Sequence, residues 1–428
     1  MKNNTFFKST LVLLIGGAIT KVLGMVIKII MNRLVGINGV SLYMLVFPTF
    51  ALFMTVSQLS FPIAISKLVA EDKYDNRNLI FSIIPVSLVF NTILIFVIVF
   101  LAPIIANFLN DDRTIYPIIA ISCVLPFDCL SSILRGYFFG KERMIPHVLS
   151  LIVEQIVRLV LIIVITPTLL SFGVIYSVVG LILVNVFSEA LSTCFLLLFI
   201  KNKKIKKKDF IINYSSVKDI LSISFPNTGA RLIGSICYFF EPILLNYFLG
   251  INGYSNDYIV IEYGVIEGFV LPLLALPNFF TNALSNALLP NISKCYSSGN
   301  IKLVKRKLKL VVFFSLVIGI PLSFILFLYP SFFLNKIYNI NYGNNYLRFL
   351  SLFFIFLYIQ APFASVLQAI NRSRSIMYHN LIGILFKLFF IIVLSFFHIG
   401  LFNFLIGMIA NILIVTLLHF RTLKKELA

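Results

Sequence analysis

Runs of about 20 mainly apolar residues recur along this chain, separated by short polar breaks of about 5 to 15 residues. A helix needs roughly 20 such residues to cross hydrocarbon. Twelve runs qualify, centred near residues 20, 53, 91, 125, 158, 186, 232, 274, 320, 357, 387 and 410. No break is long enough to fold as a soluble domain. The chain is 60% hydrophobic and 12% charged, against about 45–50% and about 25% in a soluble domain. Its 428 residues cannot cover a water-facing surface with so few polar groups, but lipid asks for none. The expected fold is all-α and polytopic, with about twelve spanning helices.

The chain also repeats itself. Asn32-Arg33-Leu34-Val35-Gly36-Ile37-Asn38-Gly39 returns as Asn246-Tyr247-Phe248-Leu249-Gly250-Ile251-Asn252-Gly253, with five of eight residues identical. The offset, 214, is half the chain. Pro62-Ile63-Ala64-Ile65-Ser66-Lys67 is echoed by Pro290-Asn291-Ile292-Ser293-Lys294. Two six-helix lobes are therefore expected, 1–200 and 218–428, joined by a basic connector over 201–217. Six spans in each give both lobes the same orientation, related by a pseudo-two-fold axis along the membrane normal.

The formal net charge is +19. Nucleic acid is not needed to explain it, because the basic residues gather on alternate loops. Lys67, Lys73, Arg77, Arg135, Lys141, Arg143, six lysines between Lys201 and Lys208, and the group from Lys294 to Lys309 fall on one side with Arg372, Arg374, Arg421, Lys424 and Lys425. The other side holds Arg33, Arg113 and Lys336. The positive-inside rule then places both termini in the cytoplasm, with the lysines facing anionic inner-leaflet lipid.

Charges inside the spans need a reason, since each costs about 2.5–3.5 kcal/mol at the bilayer centre. Lys21 and Lys28 lie seven residues apart, close to one face of the first helix. They read as a cationic stripe against an anionic group, or as residues that snorkel to an interface. In the second half they align with Ser235 and Pro242, so the stripe belongs to the first lobe. Glu154 and Arg158 are spaced for an intrahelical pair. Asp128, Glu189, Glu241 and Glu267 have no partner in local sequence. Arg231 and Lys387 also fall within spans.

Pro48, Pro62, Pro226, Pro242, Pro272 and Pro277, with Gly16, Gly17 and Gly24, mark helices expected to bend. Five cysteines at 123, 129, 194, 237 and 295 form no CxxC pair and read as reduced packing residues. The apolar run from Leu11 is too long for a cleaved signal and leads straight into further membrane. No HExxH, P-loop or GxSxG occurs, so no enzyme activity is expected.

Several motifs resemble one family. Thr20-Lys21-Val22-Leu23-Gly24 with Lys28, Arg33 and Gly36 is similar to the first helix of the multidrug/oligosaccharidyl-lipid/polysaccharide exporter superfamily. Gly39-Val40-Ser41-Leu42-Tyr43, Pro48 and Phe61 to Glu71 resemble the second helix of its stage V sporulation protein B branch. Arg135-Gly136-Tyr137-Phe138-Phe139-Gly140 with Pro146, Glu154 to Arg158, Leu273 to Pro277 and Leu289 to Ser293 extend the likeness over nearly the whole chain.

The resemblance implies a MATE-like flippase in the bacterial cytoplasmic membrane. It would move an undecaprenyl-pyrophosphate-linked sugar from inner to outer leaflet by alternating access. Lipid II flippases of the superfamily carry a cationic cavity. Their first-helix arginine aligns with Lys21, their next cavity arginine with Ile27 beside Lys28, and their second-helix aspartate with Leu42. The branch usually has fourteen spans, and here there are twelve. These departures set the chain apart from the lipid II flippases. Lys21, Lys28, Arg231, Glu154 and Arg158 become the candidate substrate-binding residues. Asp128, Arg135, Glu241 and Glu267 become candidates for ion coupling or gating. No metal or cofactor is expected beyond coupling to an H⁺ or Na⁺ gradient. Two other readings stay open: a cation-coupled multidrug exporter, and a non-transporting scaffold for cell-envelope synthesis enzymes.

Overall fold

The computed structural model describes residues 2–72, 74–200 and 213–427, with side chains described at all of these except 2–11, 14, 77, 286, 287 and 290. Lys73 and the central lysine run lie outside the described residues. In chain order the helices are α1 Lys2–Gln58, α2 Phe61–Ala70, α3 Asn76–Phe108, α4 Ile115–Gly140, α5 Met144–Leu170, α6 Val174–Leu198, α7 Tyr214–Ile251 and α8 Asn256–Val265. A π-helical turn, Ile266–Val270, leads into α9 Leu271–Leu274 and α10 Leu276–Ser297. Then follow α11 Ile301–Leu328, α12 Pro330–Tyr338, α13 Asn344–Ala369, α14 Ser373–Ser395 and α15 Phe402–Glu426.

Ten helices among the described residues are long and apolar enough to cross a membrane. The bent pair Asn256–Leu274 and Leu276–Ser285, inclined by 49°, makes an eleventh span. α1 supplies the twelfth, because it is two helices joined across a kink at Gly36 (φ 69, ψ −174). The surface is lipid-like: Phe96, Phe100 and Val164 are 71%, 74% and 61% exposed. Serines and carboxylates lie inside instead, as hydrocarbon solvent demands.

The chain forms two compact units, Met1–Phe239 and Phe240–Ala428, and the division falls within α7. The repeated phrase turns the chain in both, by different glycines. In the first copy Gly36 takes the left-handed conformation; in the second Gly250 stays helical and Gly253 (φ 84) turns. Only glycine enters that region without steric cost.

In unit 1, the span expected to hold both Pro48 and Pro62 divides. α1 stops at Gln58, Leu59 and Ser60 have positive φ, and Pro62 falls in the first turn of α2, where its missing N–H costs nothing. α2 then lies on α4 through small residues. A Cβ on Gly136 would come within 2.7 Å of Pro62 Cα, and one on Gly140 within 2.6 Å of the Ser66 carbonyl oxygen. This i,i+4 glycine pair lets two backbones touch, as small-residue seams do in membranes. Phe61, Ile65, Leu79, Ile133 and Phe138 fill the adjoining core.

In unit 2, the break between α9 and α10 has a direct cause. Pro277 has no N–H, and Asn278 N bonds to Ala275 O instead of Leu274 O. The freed Leu274 carbonyl accepts from the buried Tyr358 hydroxyl at 2.8 Å. Gly319 makes room for that ring, since a Cβ there would lie 2.4 Å from Tyr358 Cδ2.

Gly136→Val forces the α2–α4 backbones apart, so it is expected to destabilise by about 1–3 kcal/mol, read as a lower unfolding temperature in detergent. Gly17→Ala is the matched control: a Cβ at Gly17 meets nothing within 4 Å, so stability should hold or rise by about 0.4–1 kcal/mol.

Candidate functional site

Three spanning helices of unit 1 gather charge in one place. On α4, Asp128, Ser131 and Arg135 follow at steps of three and four and so share a face. α5 contributes Glu154 and Arg158; α6 contributes Glu189 and Ser192. Arg135 Nη2 is the hub, 2.8 Å from Glu154 Oε2, 2.9 Å from Ser192 Oγ and 3.2 Å from Glu189 Oε2. Arg158 Nη2 donates to Glu154 Oε1 at 2.5 Å and stands 3.9 Å from Glu189 Oε1. Ser131 donates to Glu189 Oε2 at 2.6 Å. Both glutamates are buried.

Three carboxylates thus face two guanidiniums. The remaining carboxylate, Asp128, accepts from Gln58 Nε2 at 2.8 Å, and Gln58 Oε1 accepts from Arg231 Nη2 at 3.3 Å. The sequence suggested Arg231 as a ligand from the second lobe. The structure places it in unit 1, at the end of this relay from α1.

The α1 stripe approaches the same network. Lys21 is exposed and Lys28 half-buried. Between them Gly24 faces α5, where an added Cβ would lie 3.8 Å from Gln155 Oε1. Gln155 is the sequence neighbour of Glu154. The other two carboxylate candidates stand in unit 2. Glu241 takes Lys387 Nζ at 2.8 Å, and that ammonium lies 4.6 Å from the centre of the Phe404 ring. Glu267 sits half-buried in the π-helical turn. Among the described residues no group of three or more His, Cys, Asp or Glu is placed to hold a metal ion.

Sequence reading found the Glu154–Arg158 spacing but left Glu189 without a partner and counted Arg135 among the basic loop residues, whereas it lies inside α4 with its side chain 14% exposed, because two glutamates neutralise it there. The available signal was the helical spacing of polar residues within apolar α4 and α6. A second feature was not foreseen at all. Arg135, Lys67 and His147 line a pocket of about 390 Å³ with Pro62, Ile63 and Phe139. Arg135 Nε and His147 Nδ1 are buried there without a hydrogen-bond partner. The cations of this pocket are Arg135 and Lys67, set among apolar walls.

Arg135→Met would leave buried Glu189 with only Ser131 and the more distant Arg158 against its charge, while Glu154 keeps Arg158, and breaking a buried pair in this way costs about 3–5 kcal/mol. Adding Glu189→Gln should recover part of that, with a coupling energy of roughly 0.5–3 kcal/mol in a thermal-unfolding double-mutant cycle. Strict additivity would dissolve the network into independent pairs.

The chain as a whole is similar to known proteins. The polysaccharide biosynthesis protein family matches residues 6–296, and the MatE family matches residues 268–396. Stage V sporulation protein B of Bacillus subtilis (strain 168) is 36% identical over 100% of this chain and 85% of its own length. Lipid II flippase MurJ of the same organism is 26% identical over 90% of this chain and 76% of its own. A solved inward-facing multidrug resistance MATE family transporter of the MOP superfamily superposes with a TM-score of 0.75 at 15% identity, covering 95% of this chain and 94% of that one. At that identity the likeness speaks for the fold: twelve helices in a MATE-like layout. With its buried charges, its bent spans and a family match over two thirds of its length, this chain belongs to the polysaccharide biosynthesis protein family.

Proposed function

We propose that this protein is a flippase. It carries a lipid-linked saccharide or cell-wall precursor on an undecaprenyl-pyrophosphate anchor from the inner to the outer leaflet, by alternating access. The observation that carries the reading is the exposed Lys21 in the middle of a spanning helix, on the stripe whose Gly24 faces Gln155 of α5. An ammonium at that depth is costly against lipid and is stabilised by an anion in a wet cavity. A pyrophosphate supplies that anion, and the prenyl chain remains in hydrocarbon. The likeness to a lipid II flippase over most of the chain supports the same substrate class.

In this reading Lys21, Lys28 and Arg231 receive the pyrophosphate. Glu154 and Arg158 hold the helices that frame it. Asp128, Arg135, Glu241 and Glu267 serve ion coupling or gating, driven by an H⁺ or Na⁺ gradient. Both termini face the cytoplasm of a bacterial cell, which sets the basic loops against anionic lipid. The sporulation and polysaccharide relatives favour a place in envelope synthesis.

The test uses proteoliposomes loaded with a fluorescent polyprenyl-pyrophosphate sugar and an external quencher. Hydrogen bonds to charged groups are worth about 1.5–3 kcal/mol each. The Lys21→Ala, Lys28→Ala double variant should therefore lose flipping by roughly 100-fold or more, while inserting normally. A wild-type rate in that variant refutes the assignment and favours a carboxylate-centred drug exporter. Collapsing the H⁺ and Na⁺ gradients in turn should identify the coupling ion by a loss of rate. Unchanged rates under both would exclude coupling.

A further inference from the structure

Unit 2 holds a polar pocket that the charge network does not use. Its volume is about 350 Å³, and it is lined by Glu262, Tyr342, Asn344, Asn345, Tyr346 and Phe402 among others. The size is at the lower end of small-molecule sites, about 300–1,000 Å³. The sequence explains how the walls meet. Gly343 (φ 87, ψ 6) turns the chain into α13, and a Cβ there would lie 2.7 Å from Val265 Cγ1 on α8. Glycine therefore brings the 341–346 segment against the helix that bears Glu262. Phe402, at the start of α15, packs edge-on against Tyr346 with centroids 5.4 Å apart.

Glu262 is only 3% exposed. Its Oε1 accepts from the Tyr342 hydroxyl, and the Tyr346 hydroxyl is a second donor beside the carboxylate, while its Oε2 makes no hydrogen bond within 3.5 Å. Asn344 Oδ1 is likewise buried without one. Buried acceptors are normally satisfied, so two in one pocket point to a ligand that donates. The carboxylate also lies near the first turn of α13, where a helix dipole favours it. That explains the charge but leaves Oε2 unfilled.

The lining narrows the ligand further. No lysine, arginine or histidine lines the pocket, so an acidic group would meet Glu262 uncompensated. A bare divalent cation wants about six or more oxygen ligands, whereas one carboxylate oxygen here is already taken by a hydroxyl donor. Tyrosine and phenylalanine rings offer apolar faces to C–H groups. Carboxamides and a carboxylate accept from hydroxyls. That combination fits a pyranose ring.

We propose that this pocket binds an uncharged, hydroxyl-bearing pyranose, with Glu262 Oε2 and Asn344 Oδ1 accepting from its hydroxyls and the aromatic rings covering one face. The proposal rests on the flippase reading for its role. The 341–346 segment lies on the side poor in basic residues, the outer side, so the pocket takes a head-group sugar as it emerges. Its chemistry can be tested without transport.

The full chain in lipid nanodiscs is presented with methyl glucoside, N-acetylglucosamine and glucuronate, and saturation-transfer NMR reads which one contacts the protein. A neutral pyranose should give a signal and glucuronate at least fivefold less. Glu262→Gln should lose the signal. Asn345→Trp, which fills the pocket from its exposed rim, should lose it as well and keeps the test decisive if Glu262→Gln misfolds. Equal signals from all three sugars, none from any, or full signal in a folded variant would overturn the proposal. So would a thermal shift with sodium or calcium chloride and none with sugar, since it would mark a cation site. Because no lipid-linked substrate is present, these outcomes are separate from success or failure of the flipping assay.

Discussion

Hydrocarbon offers no partner to a charge, and Arg135 shows how far that single constraint reaches. One guanidinium must be surrounded by protein oxygens, so Glu154, Glu189 and Ser192 come to it from two further helices. They reach it only because α4 lies close within its bundle. Gly136, the very next residue, and Gly140 allow α2 to touch it on another side. Removing the charge from water thus fixes the register of α4, α5 and α6. Arg135 also lines a pocket with Lys67 and His147, where its Nε makes no hydrogen bond.

Unit 2 answers the same constraint differently. It has no comparable hub among the described residues. It meets each need locally: Lys387 with Glu241, Tyr358 with the Leu274 carbonyl, Tyr342 with Glu262. Local pairs tie fewer helices together than a shared hub does. The bent α9–α10 region and its π turn lie in this unit, and π turns recur at functional sites. Both units bend their spans, at Gly36 and at Leu59–Ser60 in unit 1 and at α9–α10 in unit 2, but the shared charge network belongs to unit 1.

How much of this was legible beforehand varies with the range of the interaction. The twelve spans follow from run length alone, because hydrocarbon thickness fixes how many apolar residues a helix needs. Pro277 announced a bend, since its backbone limits are intrinsic, whereas α1 runs on through Gly16, Gly17 and Gly24 and kinks at Gly36 instead. The i,i+4 spacing of Glu154 and Arg158 marked a local pair. By contrast, Arg135 and Glu189 are separated by a whole helix and two loops. Nothing in local spacing says which faces of α4 and α6 meet. The Glu262 pocket was hidden for the same reason: it needs α8, the turn at Gly343 and the start of α15 together. Pro62 marked a bend in its span, but a full break at Leu59 and Ser60 was not readable, because neither residue favours positive φ.

The two glycines of the repeated phrase carry a last consequence for comparing the halves. One copy turns at its first glycine and the other at its second, three residues later. At about 1.5 Å per residue, the leading helix of the second half runs roughly 4.5 Å further before it turns. Sequence alignment and depth therefore disagree. Counted back from the turning glycine, Lys21 corresponds to Tyr238 and Lys28 to Leu245, rather than to Ser235 and Pro242. By either ruler, neither position that corresponds to Lys21 or Lys28 holds a cation in the second copy. The asymmetry of charge is thus a property of the protein itself, whichever way its ancestry is measured.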